Sequence, residues 1–202
     1  MDSEKAKQIT VEESILEIFR KDSALLEGHF ILSSGLHSDR YIQSALVLQQ
    51  PRLAEFLGMK LARKLEQLKP KVVAAPALGG VIVAHEVARA LGPSVRAVFT
   101  ERDKGVMTLR RGFRFGPGEP TIVVEDVITT GGSTIETIAT VEQAGARVLG
   151  VGALVDRSGG KAEFHLPKAA LITLEVQNYD PANCPLCKAG IPAVKPGSRY
   201  EK

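Results

Sequence analysis

Residues 121–134 read TIVVEDVITTGGST: an apolar run, then two adjacent carboxylates, then small and hydroxyl-bearing residues. The β-prone residues before the acids predict a strand, and the small ones a loop that opens a helix. Gly131 and Gly132 carry no Cβ, so the backbone there can approach a ligand closely. Thr129, Thr130, Ser133 and Thr134 add hydroxyls, and the first turn of the following helix has free N–H groups. Together these make an anion cradle suited to a monophosphate. Neither GK[ST] nor GxGxxG is present, which excludes a nucleoside-triphosphate loop and a dinucleotide fingerprint. Glu125 and Asp126 repel phosphate, so their chemistry is to accept hydrogen bonds from sugar hydroxyls or to stabilise nearby cationic character. Carboxylates beside an anion cradle read as a site for a phosphorylated sugar.

Three further segments carry similar content. In APALGG, Ala77, Leu78, Gly79 and Gly80 form a short glycine turn after a strand. FTERDKGVMTLRRGFRF concentrates Arg102, Lys104, Arg110, Arg111 and Arg114 in a long loop, and long loops without structure of their own tend to be lids. In LVDRSGG, Arg157 follows an apolar strand, and its planar fork matches a carboxylate or imide edge. Cys184 and Cys187 form one Cys-x-x-Cys, half of a zinc site or a redox pair, with no second half evident. His165 is nearest in sequence, at a spacing that matches no common finger. The expectation is a tight turn with two small residues; a zinc site shared across a dimer and a reversible disulfide are the alternatives. His29 and His37 are expected to be structural rather than catalytic.

The elements that must position these residues alternate. Val11, Ile15, Ile18, Phe19 and Leu26 give helical spacing over 11–27, and short extended pieces follow around Ser34-Gly35. Pro51 opens a second helix with Leu53, Phe56, Leu57, Leu61 and Leu65 on its apolar face. From residue 71 onward apolar strands alternate with helices, which predicts an α/β fold with a mostly parallel sheet covered on both faces. The reading is one domain over 1–202: an N-terminal helix and hood over about 1–50, an α/β core over about 51–180, and a C-terminal tail over about 181–202.

The bulk numbers agree with a globular chain: 202 residues, 44% hydrophobic and 24% charged. No apolar run reaches about 18 residues, so no membrane span is expected. MDSEKAKQIT lacks the apolar segment of a secretory signal, which leaves the cytoplasm as the expected compartment. A net charge of +3 does not argue for a nucleic-acid partner.

The segment VEDVITTGGS resembles the phosphoribosyl-diphosphate motif of type I phosphoribosyltransferases: two acids, apolar residues, then T-x-G-x-[ST]. ALLEGHFILSSGLHSDRYIQ, APALGG, LVDRSGG and CPLCKAGIP appear in the order found in the orotate branch of that family, so the resemblance covers nearly the whole chain. It implies the type I phosphoribosyltransferase fold with an N-terminal hood. It also implies transfer of a 5-phosphoribosyl group from phosphoribosyl diphosphate to orotate, with Mg²⁺ held mainly by substrate oxygens and no dedicated protein metal site.

Carried over by position, the resemblance assigns Glu125 and Asp126 to the ribose hydroxyls and Thr129, Thr130, Gly131, Gly132 and Ser133 to the 5′-phosphate, with Val127 and Ile128 also in the phosphoribosyl-diphosphate site. Ala77, Leu78, Gly79 and Gly80 contact the diphosphate, although many members have a lysine where this chain has Gly79. Arg102 and Lys104 clamp the diphosphate and, with Asp126, form the expected catalytic set. The family's R-K-x-x-K-x-H-G lid pattern is absent here, and the lid has no histidine. Orotate is expected against Thr129, Arg157, Ser34, Gly35, Tyr41 and Ile42, with Ser33 where some members carry a lysine. Because the family's lid works across subunits, a homodimer is implied. Two other readings remain: a purine phosphoribosyltransferase, which Arg157 and the hood disfavour, and a non-catalytic regulator that senses phosphoribosyl diphosphate, which the altered lid keeps open.

Overall fold

Val72–Pro76 (β3) is a short run of buried residues, the signature of a strand covered on both faces. The computed structural model, which describes residues 10–32 and 34–196, places it near the centre of a six-stranded sheet. Before it come helix α1 (Val11–Lys21), strands β1 (Leu25–Ile31) and β2 (His37–Ile42), and helices α2 (Ala45–Leu48) and α3 (Pro51–Leu65). After it come α4 (Gly79–Leu91), β4 (Arg96–Asp103), β5 (Val106–Leu109), β6 (Glu119–Ile128), α5 (Gly132–Gln143), β7 (Ala146–Asp156) and β8 (Lys168–Thr173). Strand β9 (Asn178–Tyr179) and helix α6 (Pro185–Lys188) complete the chain. The main sheet has the order β5-β4-β3-β6-β7-β8, parallel except for the β4–β5 pair.

Helices cover both faces, as the alternating pattern predicts. Leu57, Leu61 and Leu65 of α3 and Val83 and Val87 of α4 pack with Val73, Ala75, Ile122 and Val124 in the main core cluster. Val141 of α5 packs on the other face with Val72, Ala74, Val123 and Val148. Each fully buried aliphatic side chain contributes about 1.5–3 kcal/mol. Strands β1, β2 and β9 form a separate small antiparallel sheet, the hood.

Two expectations are corrected. The first helix ends at Lys21, where the C-cap N–H bonds back to Arg20 and Ile18, so Leu25 and Leu26 join β1 instead of continuing a helix to 27. Its start is secured by a capping box between Thr10 and Glu13. The second concerns the loop from Glu101 onward, which is no plain loop. Residues 100–103 pair antiparallel with 106–109 around a Lys104-Gly105 turn in which both residues have positive φ (50° and 87°). Two left-handed residues in a two-residue turn match the strand twist, which is why Lys-Gly closes this hairpin. Ser33 and residues 1–9, read above for a lysine equivalent and a leader, lie outside the described residues.

Candidate functional site

The sheet reverses its winding at β3. The chain proceeds from β3 to β4 on one side, then crosses to β6 on the other, so the carboxyl ends of β3 and β6 flank a crevice. Such a switch point is where open parallel sheets bind ligands. The β3–α4 turn and the β6–α5 loop, two of the predicted segments, both open there.

The acid pair is not symmetric. Asp126 faces α2 and α4: Ser44, just ahead of α2, donates a short hydrogen bond to its Oδ2. A Cβ added at Gly79 would stand 2.2 Å from Asp126 Oδ2, so a residue with a side chain at 79 displaces this carboxylate. Glu125 turns toward Thr134 at the start of α5 and toward Gly80 and is only 7% exposed. Burial, reinforced by the Asp126 charge beside it, pushes the Glu125 carboxyl up to about 10. At neutral pH it is therefore protonated.

The raised value works against stability as pH rises. Below about 4.5 the carboxyl is protonated in both states; between there and about 10 the unfolded chain ionises while the folded one does not. The stability contribution of Glu125 is thus lost progressively across that window. Glu125→Gln, which keeps the shape and removes the titration, should match the wild type near pH 4 and melt higher at pH 8. Each kcal/mol gained raises Tm by about 2–4 °C in a chain of this size. Parallel pH dependences of Tm for the two proteins would refute the assignment.

The cradle follows directly. Gly131 caps α5 with φ +83°, and a Cβ on it would press on the Phe164 ring at 2.9 Å, so both its conformation and its neighbour demand glycine. No side chain caps the helix, which leaves the first-turn N–H groups directed into a small recess of about 70 Å³ bounded by residues 127–134. Thr129 and Thr130 also line a second cavity, of about 550 Å³, with Arg157 in its wall. The recess and the larger cavity therefore share a border.

Arg157 is 9% exposed, and its Nη2 donates to Asn178 Oδ1 at 2.9 Å. Burial lowers its affinity for the proton; the nearby Tyr41 and Asp39 act in the opposite sense. A turn ion pair with Asp156 is excluded, because Asp156 is engaged by Lys168 at 2.7 Å and by Ser158. Asp156 is buried, which opposes ionisation, yet hydrogen bonds from Lys168 and Ser158 hold its carboxyl below the usual range. A buried guanidinium opening onto a cavity calls for an anionic partner.

The hood residues enter differently from expectation. Tyr41 stands near Arg157, but the Ile42 side chain is committed to the main core, leaving only its backbone for a ligand. Ser34 and Gly35 are exposed at the β1–β2 turn. The cavity wall beside Arg157 comes instead from Gln177, Asn178 and Tyr179, around β9. These residues, with Ser44, were missed by sequence reasoning. No local motif marks them, since Ser44 meets Asp126 across 82 residues.

The β4–β5 hairpin rises from the same edge of the sheet, because β4 is parallel to β3 and runs past its last paired residue. Arg102 pairs with Glu136 of α5 at 2.7 Å and donates to Gly105 O. Arg111 forks onto Glu101, and Arg110 approaches the same acid. Lys104 is exposed at the hairpin tip and makes no salt bridge among the described residues. In the β3–α4 turn Leu78 is 86% exposed and the Ala77–Leu78 peptide is cis. Cys184 and Cys187 sit on a tight turn, as expected, and their side chains lie beside those of His29 and His37.

The phosphoribosyl transferase domain family matches residues 46–172. The orotate phosphoribosyltransferase of Desulforamulus reducens is 54% identical over 187 residues, covering 93% of this chain and 97% of that protein. The orotate phosphoribosyltransferase of Heliobacterium modesticaldum is 55% identical over 190 residues, covering 93% and 98%. The crystal structure of Mycobacterium tuberculosis orotate phosphoribosyltransferase in complex with 5-phospho-alpha-D-ribosyl 1-diphosphate superimposes with a TM-score of 0.66, at 24% identity, covering 82% of this chain and 97% of that one.

Proposed function

The chain belongs to the phosphoribosyl transferase family, and from that premise we propose that it transfers the 5-phosphoribosyl group of phosphoribosyl diphosphate to orotate, yielding orotidine 5′-phosphate and diphosphate in pyrimidine biosynthesis. The observation that carries this reading is the shared border at Thr129 and Thr130: a phosphate-sized recess opens into a cavity walled by a buried arginine. One substrate is then held by its 5′-phosphate and ribose, the other by its carboxylate, with their reacting atoms between.

The C1–oxygen bond of the sugar breaks toward an oxocarbenium-like state as the orotate ring nitrogen bonds to C1 and diphosphate departs. The chain's part is mainly positioning and electrostatics. N–H groups over 129–133 hold the 5′-phosphate. Asp126 accepts from a ribose hydroxyl and places its negative charge near the cationic sugar. Glu125, neutral at the start, supports it from below. Backbone groups of residues 77–80 and the charges of Arg102 and Lys104 receive the diphosphate. Arg157, held by Asn178, orients orotate by its carboxylate.

Mg²⁺ fits this site as a substrate-borne ion. Among the described residues the acid pair does not belong to any cluster of three or more metal-ligating side chains. A hard cation here must take most of its oxygens from diphosphate and ribose, with Asp126 as the available carboxylate. When bound it neutralises charge developing on the leaving diphosphate.

Loss of orotate absorbance in the presence of phosphoribosyl diphosphate and Mg²⁺ tests the reaction. If orotate persists while adenine, hypoxanthine or xanthine is converted, the base assignment fails. The reading also places the protein in the cytoplasm as a homodimer whose hairpin closes over the partner's site; no helix among the described residues is long and apolar enough to cross a membrane. Lys104→Asn keeps a residue that tolerates the left-handed turn and removes the charge. It should lower kcat/KM for phosphoribosyl diphosphate by roughly 10-fold or more, the size of a lost charged hydrogen bond, with Tm unchanged. Mixing it with an inactive Asp126→Asn subunit should recover activity if the lid crosses subunits, because one site of the heterodimer is then intact. An unchanged kcat/KM in the single variant would remove Lys104 from the lid's work.

A further inference from the structure

Four side chains from opposite ends of the sequence converge behind the hood. His29 on β1, His37 on β2, and Cys184 and Cys187 around α6 bring one ligand atom each to within 4.8 Å of one another. His29, His37 and Cys184 are buried, at 2%, 8% and 1% exposure, whereas Cys187 reaches the surface.

The separations match a coordination shell. Zinc–sulfur bonds of about 2.3 Å and zinc–nitrogen bonds of about 2.0–2.1 Å place tetrahedral ligands roughly 3.3–3.8 Å apart. Cys184 Sγ lies 3.6 Å and Cys187 Sγ 3.8 Å from His29 Nε2, and Cys187 Sγ lies 3.3 Å from His37 Nδ1. His29 Nε2 and His37 Nδ1 are 2.7 Å apart and need to separate by only about half an ångström to join the same shell.

Two features outside the four ligand atoms point the same way. His29 Nδ1 lies 2.7 Å from Ile191 O; donating there leaves the Nε2 lone pair directed inward, the usual outer-shell support of a metal-bound histidine. The cysteines sit on a tight knuckle, with Lys188 N donating to Cys184 O, Gly190 N to Cys187 O, and Gly190 at φ +70°. Two imidazoles and two thiols at a Cys-x-x-Cys spacing form a donor set that selects zinc over hard cations.

We propose that His29, His37, Cys184 and Cys187 bind one Zn²⁺ within a single chain, as a structural staple between the hood and the C-terminal segment. Binding releases the two thiol protons, so the dication and two thiolates leave the buried site neutral. The staple has a purpose in this fold. The hood is a three-stranded sheet whose third strand is Asn178–Tyr179, paired to β2 through His37↔Tyr179 and Ser38↔Asn178. Sheets this small need reinforcement. Asn178 holds Arg157, so the metal fixes the wall of the orotate cavity from behind.

The test uses the full chain, untagged and purified without chelator, with metal read by elemental analysis and by Co²⁺ exchange. The expected result is about one zinc per chain and, after exchange, the intense visible bands of a tetrahedral cobalt–thiolate centre. Cys187→Ser, at an exposed position, should retain less than about a tenth of the metal and lack the thiolate bands. Chelated wild type should melt lower and show a raised orotate KM with the KM for phosphoribosyl diphosphate little changed. Wild-type protein that neither retains zinc nor develops cobalt–thiolate bands overturns the proposal, as does recovery of Cys184 and Cys187 as a disulfide from protein prepared under reducing conditions. Stoichiometry and spectra require no substrate, so this outcome is independent of the activity assignment.

Discussion

Asp126→Asn should reduce kcat/KM by roughly 100-fold or more while the fold survives, the upper range of a lost hydrogen bond to a charged group. The substitution preserves shape, and the amide oxygen can still accept from the Ser44 hydroxyl. What disappears is the negative charge. Glu125, held near 10 by burial, is neutral and does not replace it. The loss should fall on kcat as well as on KM for phosphoribosyl diphosphate, because an anion beside the sugar acts more strongly as cationic character develops. Glu125→Gln provides the contrast and should keep activity within about tenfold, since it exchanges one neutral hydrogen-bonding group for another. Circular dichroism and melting of both variants separate chemistry from folding. Asp126→Asn activity within fivefold of wild type would remove the acid pair from the mechanism.

Arg157→Ala should raise the KM for orotate by roughly 10- to 100-fold while the KM for phosphoribosyl diphosphate moves only a few-fold. The guanidinium is buried, opens onto the cavity beside Thr129 and is oriented by Asn178. Asp156, its neighbour in sequence, is occupied by Lys168, so the side chain has no structural ion pair to lose there. Arg157→Lys sharpens the measurement: it keeps the charge but loses the planar fork, and should recover only part of the affinity. Equal losses for both substrates would mean that Arg157 supports the sheet edge as a whole.

Much of this site is legible along the chain because its parts are local. Strand, acids, glycine loop and helix occur within residues 121–134, and each rests on a preference that neighbouring residues express: β-propensity, a left-handed Gly131 and free N–H groups at a helix start. The alternation of apolar strands with helices is likewise a periodic signal, and it specifies a parallel sheet before any contact is known. Arg157 is visible for the same reason, lying just past an apolar strand.

Where the reading of the chain went astray, a distant contact competed with a local preference. Residues 22–27 continue a helical spacing, yet Leu25 and Leu26 pair with Ile42 and Tyr41 of β2. Ile42 was expected at the ring, but strand alternation turns its side chain into the core. Residues 101–109 resemble a charged loop because their hydrophobic pattern is weak; Lys104-Gly105 was the available hairpin signal.

The sequence alone determined the class of fold, the strand end with its acid pair and glycine loop, and the arginine just past an apolar strand, since these follow from patterns within a dozen residues. Only the tertiary structure decided that Glu125 is neutral, that Ser44 holds Asp126, that Asn178 holds Arg157, and that His29 meets Cys184 across 155 residues. Each of these depends on the field or the contact made by a group far along the chain. Burial and long-range pairing are properties of the packed molecule, and no local period records them.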